Sequence, residues 1–223
     1  MGSKALDPDS AKNVVSTISP VVAEFIRLIR QEIPQIGVVY SEELDYVSAM
    51  AKFRTDQNMR GTKDDPIPLF AFNRSVLRRT NDRAPGNRAN QCKALKVEDG
   101  VNSFTYTPMQ GEIDINFLYI AKDVHAIEQF EIAYLTEEGI SGNKELIIDL
   151  PGELGEQKYA INTDEPLEDK RFENQDSFYK TVTGVLTIRG FYYVFKGRSK
   201  HILSIQTKIE TFLTEVLATN TIT

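Results

Sequence analysis

The chain has 223 residues, 41% hydrophobic and 26% charged, which excludes a disordered polymer and suits one α/β-type domain with a sizeable core. Its net charge of -6 excludes a general attraction to nucleic acid or anionic lipid, so such binding would need a local patch. Cys92 is the single cysteine, which excludes an intrachain disulfide and fits a reducing compartment, and no stretch approaches the roughly 18 consecutive apolar residues of a membrane helix.

Residues 1–18 read as a polar N-terminal arm: Lys4, Asp7 and Asp9 occur without the apolar run of a secretory signal. A helix follows, with Ser19 as N-cap, Pro20 in the first turn, and Val21, Val22, Phe25, Ile26 and Ile29 along one stripe. Pro34 ends it, and residues 37–40 read as a short extended piece. Ser41, Glu42 and Glu43 predict the start of a second helix, with Leu44, Val47, Met50 and Ala51 as its apolar face. Residues 67–72 predict a short strand. Residues 73–96, with Pro85-Gly86, several asparagines and little periodicity, read as a long loop.

Ile113, Ile115, Phe117 and Tyr119 alternate with Glu112, Asp114 and Asn116, the pattern of a half-buried strand. Asp123 predicts the cap of a helix with Val124, Ile127, Phe130, Ala133 and Tyr134 on one face and Gly139 as its stop. Residues 146–150 and 158–161 predict two more strands, and 163–177 an acidic loop. Residues 181–195 predict a long strand, with Gly184 and Gly190 as bulges or bends. Ile202, Ile205, Ile209, Phe212, Leu213, Val216 and Leu217 fit an amphipathic C-terminal helix whose first turn could instead pair as a strand. The expectation is a single α+β domain over residues 19–219. Its sheet is largely antiparallel, with helices packed on one face and long polar loop insertions at 73–96 and 163–177.

Catalytic signatures are sparse. His125 and His201 are the only histidines and lie far apart in the chain, and one cysteine makes no thiolate metal site. There is no Gly-x-Ser-x-Gly elbow, Walker loop or Gly-x-Gly-x-x-Gly turn. Glu112 and Asp114 share one strand face, near enough to hold Mg²⁺, and would serve a nuclease or other phosphoryl-transfer enzyme. Alternation alone also predicts polar residues there, on a solvated strand face. The acidic run 164–169 lacks the ligand spacing of a calcium loop.

The charge anomaly is the loop. Arg74, Arg78, Arg79, Arg83, Arg88, Lys93 and Lys96 are opposed only by Asp82. Such a patch suits docking onto an acidic partner, contact with a nucleic-acid backbone, or simple solvation. Nucleic acid is the less favoured partner, because no aromatic residue interleaves with the arginines.

The N-terminal helix, the run Ile67-Pro68-Leu69-Phe70-Ala71-Phe72-Asn73-Arg74, the basic stretch, the β segments at 104–108 and 112–120, a helix, and the late aromatic strand 190–195 form a layout. It resembles tail-completion or tail-terminator proteins of tailed bacteriophages, particularly contractile ones, over most of residues 20–217. The resemblance implies a non-enzymatic virion subunit without cofactor, assembled in the host cytoplasm. It further implies a homo-oligomeric ring, commonly a hexamer, that caps tail tube and sheath and contacts other tail and neck proteins. No small-molecule substrate or membrane is implied. A basic loop and an acidic loop on one chain would also suit a head-to-tail contact between neighbouring subunits.

Overall fold

A computed structural model describes residues 14–33, 36–60, 67–80, 93–96, 103–136, 140, 145–150, 154–163, 166–169 and 179–196. Two long strands form the spine. β6 (Ser103–Ala121) and β10 (Lys180–Lys196) run antiparallel in unbroken register from Lys180 opposite Ala121 to Lys196 opposite Thr105. On one flank, β6 pairs in succession with β3 (Leu69–Arg74), β4 (Arg78–Arg79) and β5 (Lys93–Lys96). On the other flank, β10 pairs with β9 (Glu168–Asp169), β8 (Gly155–Asn162) and β1 (Val14–Ser16). β2 (Gly37–Tyr40) lies parallel to β3 at one edge, and β7 (Glu145–Leu150) antiparallel to β8 at the other. Among the described residues only the β2–β3 pairing is parallel, so the α+β class with a largely antiparallel sheet is what the chain adopts.

Strand alternation gives the sheet two faces. The inner face carries Ile113, Ile115, Phe117 and Tyr119 of β6 and Val182, Leu186, Ile188 and Tyr192 of β10. Helices α1 (Ile18–Glu32) and α3 (Val124–Leu135) cover it through Phe25, Ile29, Phe130 and Tyr134. Phe130 stacks on Tyr119 with ring centroids 4.2 Å apart and meets Phe117 edge-on at 5.6 Å. The outer face carries Leu118 and Ile120, covered by α2 (Tyr46–Arg60) through Ala49, Met50 and Phe53. The helices therefore do not all pack on one face, which corrects that expectation. α2 is the crossover between the parallel strands β2 and β3, and it returns over the opposite side.

Further expectations are corrected in detail. β1 draws residues 14–16 of the predicted arm into the sheet, and α1 begins at Ile18 with Thr17, not Ser19, at its N-cap position. α2 begins at Tyr46, where Asp45 accepts a hydrogen bond from the Ser48 backbone at 2.9 Å, and not at Ser41, whose hydroxyl donates to the Glu43 carbonyl. Val47 and Ala51 point to solvent, because the buried stripe is Ala49, Met50 and Phe53. In α3, Asp123 caps as expected, accepting from Ala126 N at 2.8 Å, but Val124 is exposed. Gly184 and Gly190 are not bulges, since the β6–β10 register passes through both without a break. Each instead leaves room for an aromatic ring. A Cβ at 190 would stand 2.5 Å from Tyr159 Cδ1, and one at 184 2.7 Å from Phe117 Cζ. The predicted strand at 67–72 begins at Leu69, after a cis Ile67–Pro68 bond, and runs to Arg74. Residues 168–169 of the acidic loop pair with Val182 and Thr183, and most of that loop, Gly139 and the C-terminal segment 202–217 lie outside the described residues.

Four tyrosines sit inside the inner layer, and each donates its hydroxyl to a backbone carbonyl: Tyr119 to Ala126, Tyr134 to Val185, Tyr159 to Phe191 and Tyr192 to Ile188. Burial pushes the phenols of Tyr119 and Tyr159 up to about 12, and that of Tyr192 is pushed up as well.

Candidate functional site

The basic segment is not one loop. β3 runs on to Arg74, which stands opposite Ile115, while Arg78 stands opposite Glu112. Four steps along this strand thus match three along β6, so one extra residue is accommodated between them. Ser75 bridges the irregularity: its N–H donates to the Asp114 carbonyl at 2.8 Å, and its hydroxyl accepts from Asp114 N at 2.9 Å. Val76 is left exposed.

That single residue changes which face the arginine occupies, because a one-residue shift exchanges the two sides of a strand. Leu77 turns inward onto the core, and Arg78 turns outward onto the face that holds Glu112 and Asp114. Gly111 makes the approach feasible, since a Cβ there would stand 2.6 Å from the Arg78 carbonyl oxygen and 2.9 Å from Leu77 Cδ1.

The result is an ion-paired row across the outer face. Arg78 donates to Asp114 Oδ1 at 2.7 Å and lies 3.4 Å from Glu112 Oε1. Arg189, opposite Glu112 on β10, donates through Nη2 and Nε to Oε2 at 3.0 and 3.3 Å. Thr187 donates its hydroxyl to Asp114 Oδ1 at 3.1 Å. One step further along, Asn116 donates to Asn73 Oδ1 at 2.9 Å. The carboxylates form the floor, and the arginines, half or more exposed, lie over them. Two guanidinium groups balance two carboxylates here, with a hydroxyl satisfying one of the remaining lone pairs.

The acidic pair singled out for Mg²⁺ therefore already has cations in place. Among the described residues, no group of three or more His, Cys, Asp or Glu side chains is placed to hold a metal ion. His125 lies exposed on α3, 3.9 Å from Glu128 and 3.1 Å from the Gln129 amide, away from this row. His201 and Cys92 lie outside the described residues.

The other basic positions scatter. Arg74 is exposed at the end of β3, and Arg79 stands opposite Gly111 with Nη2 3.6 Å from Met109 Sδ. Lys93 and Lys96 take register positions opposite Tyr106 and Ser103, toward the far end of the spine. Arg83 and Arg88 lie outside the described residues. The expectation of a structureless loop over 73–96 is thus corrected: residues 73–74, 78–79 and 93–96 are all β ladder, held by β6.

Arg189 and Thr187 were not singled out from the sequence. Their signal is present, as polar residues alternating with Leu186 and Ile188, but the partner acid lies 77 residues away. Only the strand register brings them together.

Beyond the ion-paired row, Tyr193 and Phe195 on the same face are buried, while two apolar side chains nearer the row are exposed. Phe191 is exposed two residues after Arg189, and Ile147 is exposed on β7 opposite Lys158, whose ammonium reaches Glu145 at 2.6 Å. No helix among the described residues is long and apolar enough to cross a membrane. No family model matches the chain, and no curated protein matches it.

Proposed function

We propose that the chain is a structural virion subunit, a ring-forming tail terminator or neck component that joins tail tube and sheath to the connector. The observation that favours this reading over a phosphoryl-transfer enzyme is the occupation of Glu112 and Asp114 by Arg78, Arg189 and Thr187. The acids best placed for metal-assisted chemistry are spent on joining strands, which disfavours the phosphoryl-transfer alternative. A second support is charge segregation. β3, β4 and β5 carry five cations and no acid within a chain of net charge -6. Such a strip suits an acidic protein neighbour.

Light scattering and negative-stain electron microscopy of the purified chain test this. A discrete closed ring of several subunits is expected. A monomer at every concentration, Mg²⁺-dependent cleavage of nucleic acid, or steeply salt-dependent DNA binding would overturn it. Charge reversal at Arg79, Arg83 and Arg88 tests the basic segment as the contact. Arg78 is unsuitable for that test, because its reversal would break the in-chain pairs.

A further inference from the structure

The two long strands change their apolar side near one end. The alternation that puts Ile188 and Tyr192 of β10 on the inner face puts Tyr193 and Phe195 on the outer one. Tyr193 stands opposite Pro108, and Phe195 opposite Tyr106. Phe195 is 0%, Tyr193 7% and Tyr106 9% exposed, while Thr107 and Val194 on the inner side are only half-buried. The three rings cluster, with centroids 5.8 Å apart for Tyr106 and Tyr193 and 6.4 Å from each of these to Phe195.

A sheet face is shut off from water only where something lies on it. α1 and α3 lie on the inner face, and α2 meets the outer face at Leu118 and Ile120. About 40 Å of strand separates Leu118 from Tyr106. None of the three described helices therefore accounts for the burial of this aromatic cluster.

The chain continues from Lys196, next to Phe195, into residues 197–223, which lie outside the described residues. Ile202, Ile205, Ile209, Phe212 and Val216 recur there at helical spacing, with Lys208, Glu210, Thr214 and Glu215 between them. Residues 197–201 are a connection of ordinary length for turning a strand back onto its own sheet. Wound as a helix, 202–217 would run about 24 Å, enough to cross several strands spaced about 4.8 Å apart. The stretches 1–13, 81–92 and 97–102, also outside the described residues, have no such stripe.

We propose that residues 202–217 form an amphipathic helix seated on the outer face of the same molecule, over Tyr106, Tyr193 and Phe195. Its isoleucines meet the rings, and its charged side faces water. The outer face then carries a helix at each end, with the ion-paired row between them. This concerns one molecule and stands apart from the ring-forming reading.

Hydroxyl-radical footprinting of the full chain, read residue by residue by mass spectrometry, tests it. Tyr106, Tyr193 and Phe195 should be as protected as Phe130 and Tyr134 of the inner core. In a variant carrying Ile205→Asp and Ile209→Asp, oxidation of the three rings should rise several-fold while Phe130 and Tyr134 stay protected. Unchanged protection of the three rings in that variant would overturn the proposal. The unmodified chain supplies a second measurement that does not depend on how the variant folds. Nuclear Overhauser contacts are expected from the methyl groups of Ile205 and Ile209 to the rings of Tyr193 and Phe195, and their absence is equally fatal. Contacts found only between differently labelled copies would put a neighbour's segment on the cluster and refute the intramolecular seating.

Discussion

The two faces of one pair of strands obey different rules. On the inner face, β6 and β10 place Ile113, Ile115, Phe117, Leu186 and Ile188 under α1 and α3, and every position is shut off from water. On the outer face of the same residues' neighbours, Glu112, Asp114, Thr187 and Arg189 form a polar row that α2 does not reach. The inner face holds the molecule together through area removed from water. The polar row of the outer face is held by charge pairs at the surface, each worth little. A long strand pair can thus carry a packed core on one side and a charged row on the other, because alternate residues are chemically independent.

Alkaline titration should expose the inner face first and most strongly. Burial disfavours the phenolate and pushes Tyr119 and Tyr159 up to about 12, from the usual 10.0 of a free phenol. A raised folded value means this contribution is fully present below pH 10 and is lost as the pH rises toward 12. Two pH units correspond to about 2–3 kcal/mol per tyrosine. Denaturant midpoints measured from pH 8 to 12 should be flat below about 10 and fall steeply above it. A midpoint unchanged through 12 would show that these phenols titrate freely.

Gly190→Ala comes next in size. The added Cβ meets the Tyr159 ring at 2.5 Å, and that ring is anchored by its hydroxyl to the Phe191 carbonyl. Overpacking of this kind costs about 1–3 kcal/mol. Urea unfolding should show that loss, with the slope unchanged. A neutral result would mean that the ring moves aside freely and that the glycine reflects something other than close packing.

The smallest effect is expected on the outer face. A double-mutant cycle between Arg78→Ala and Asp114→Ala should give a coupling below about 1 kcal/mol that shrinks with added salt. A coupling of several kcal/mol, insensitive to salt, would put this row on the same footing as the core and erase the contrast between the faces.

Much of the inner face was legible in the sequence. The alternation through residues 113–119 announced a strand with one buried side, and Asp123 announced the start of α3. Local rules suffice there, since period and capping depend on neighbours a few residues away. The outer row was half legible. Glu112 and Asp114 stood out as a pair, but their partners Arg78 and Arg189 lie 34 or more residues away in the chain. α2 was misread for a related reason: its buried stripe is short, and exposed Val47 looks as apolar as buried Met50 until the β2–β3 crossover sets the helix's roll.

The sequence by itself determined the class of fold, the principal strands and helices, and the absence of common catalytic motifs, because composition and periodicity carry those properties locally. The tertiary structure decided the role of each charge. One extra residue between Arg74 and Arg78 carries a predicted loop arginine onto the acidic face. An unbroken register of the two long strands brings Arg189 to the same acid. Which charges meet is a matter of strand register, and register is settled by the packing of the whole sheet.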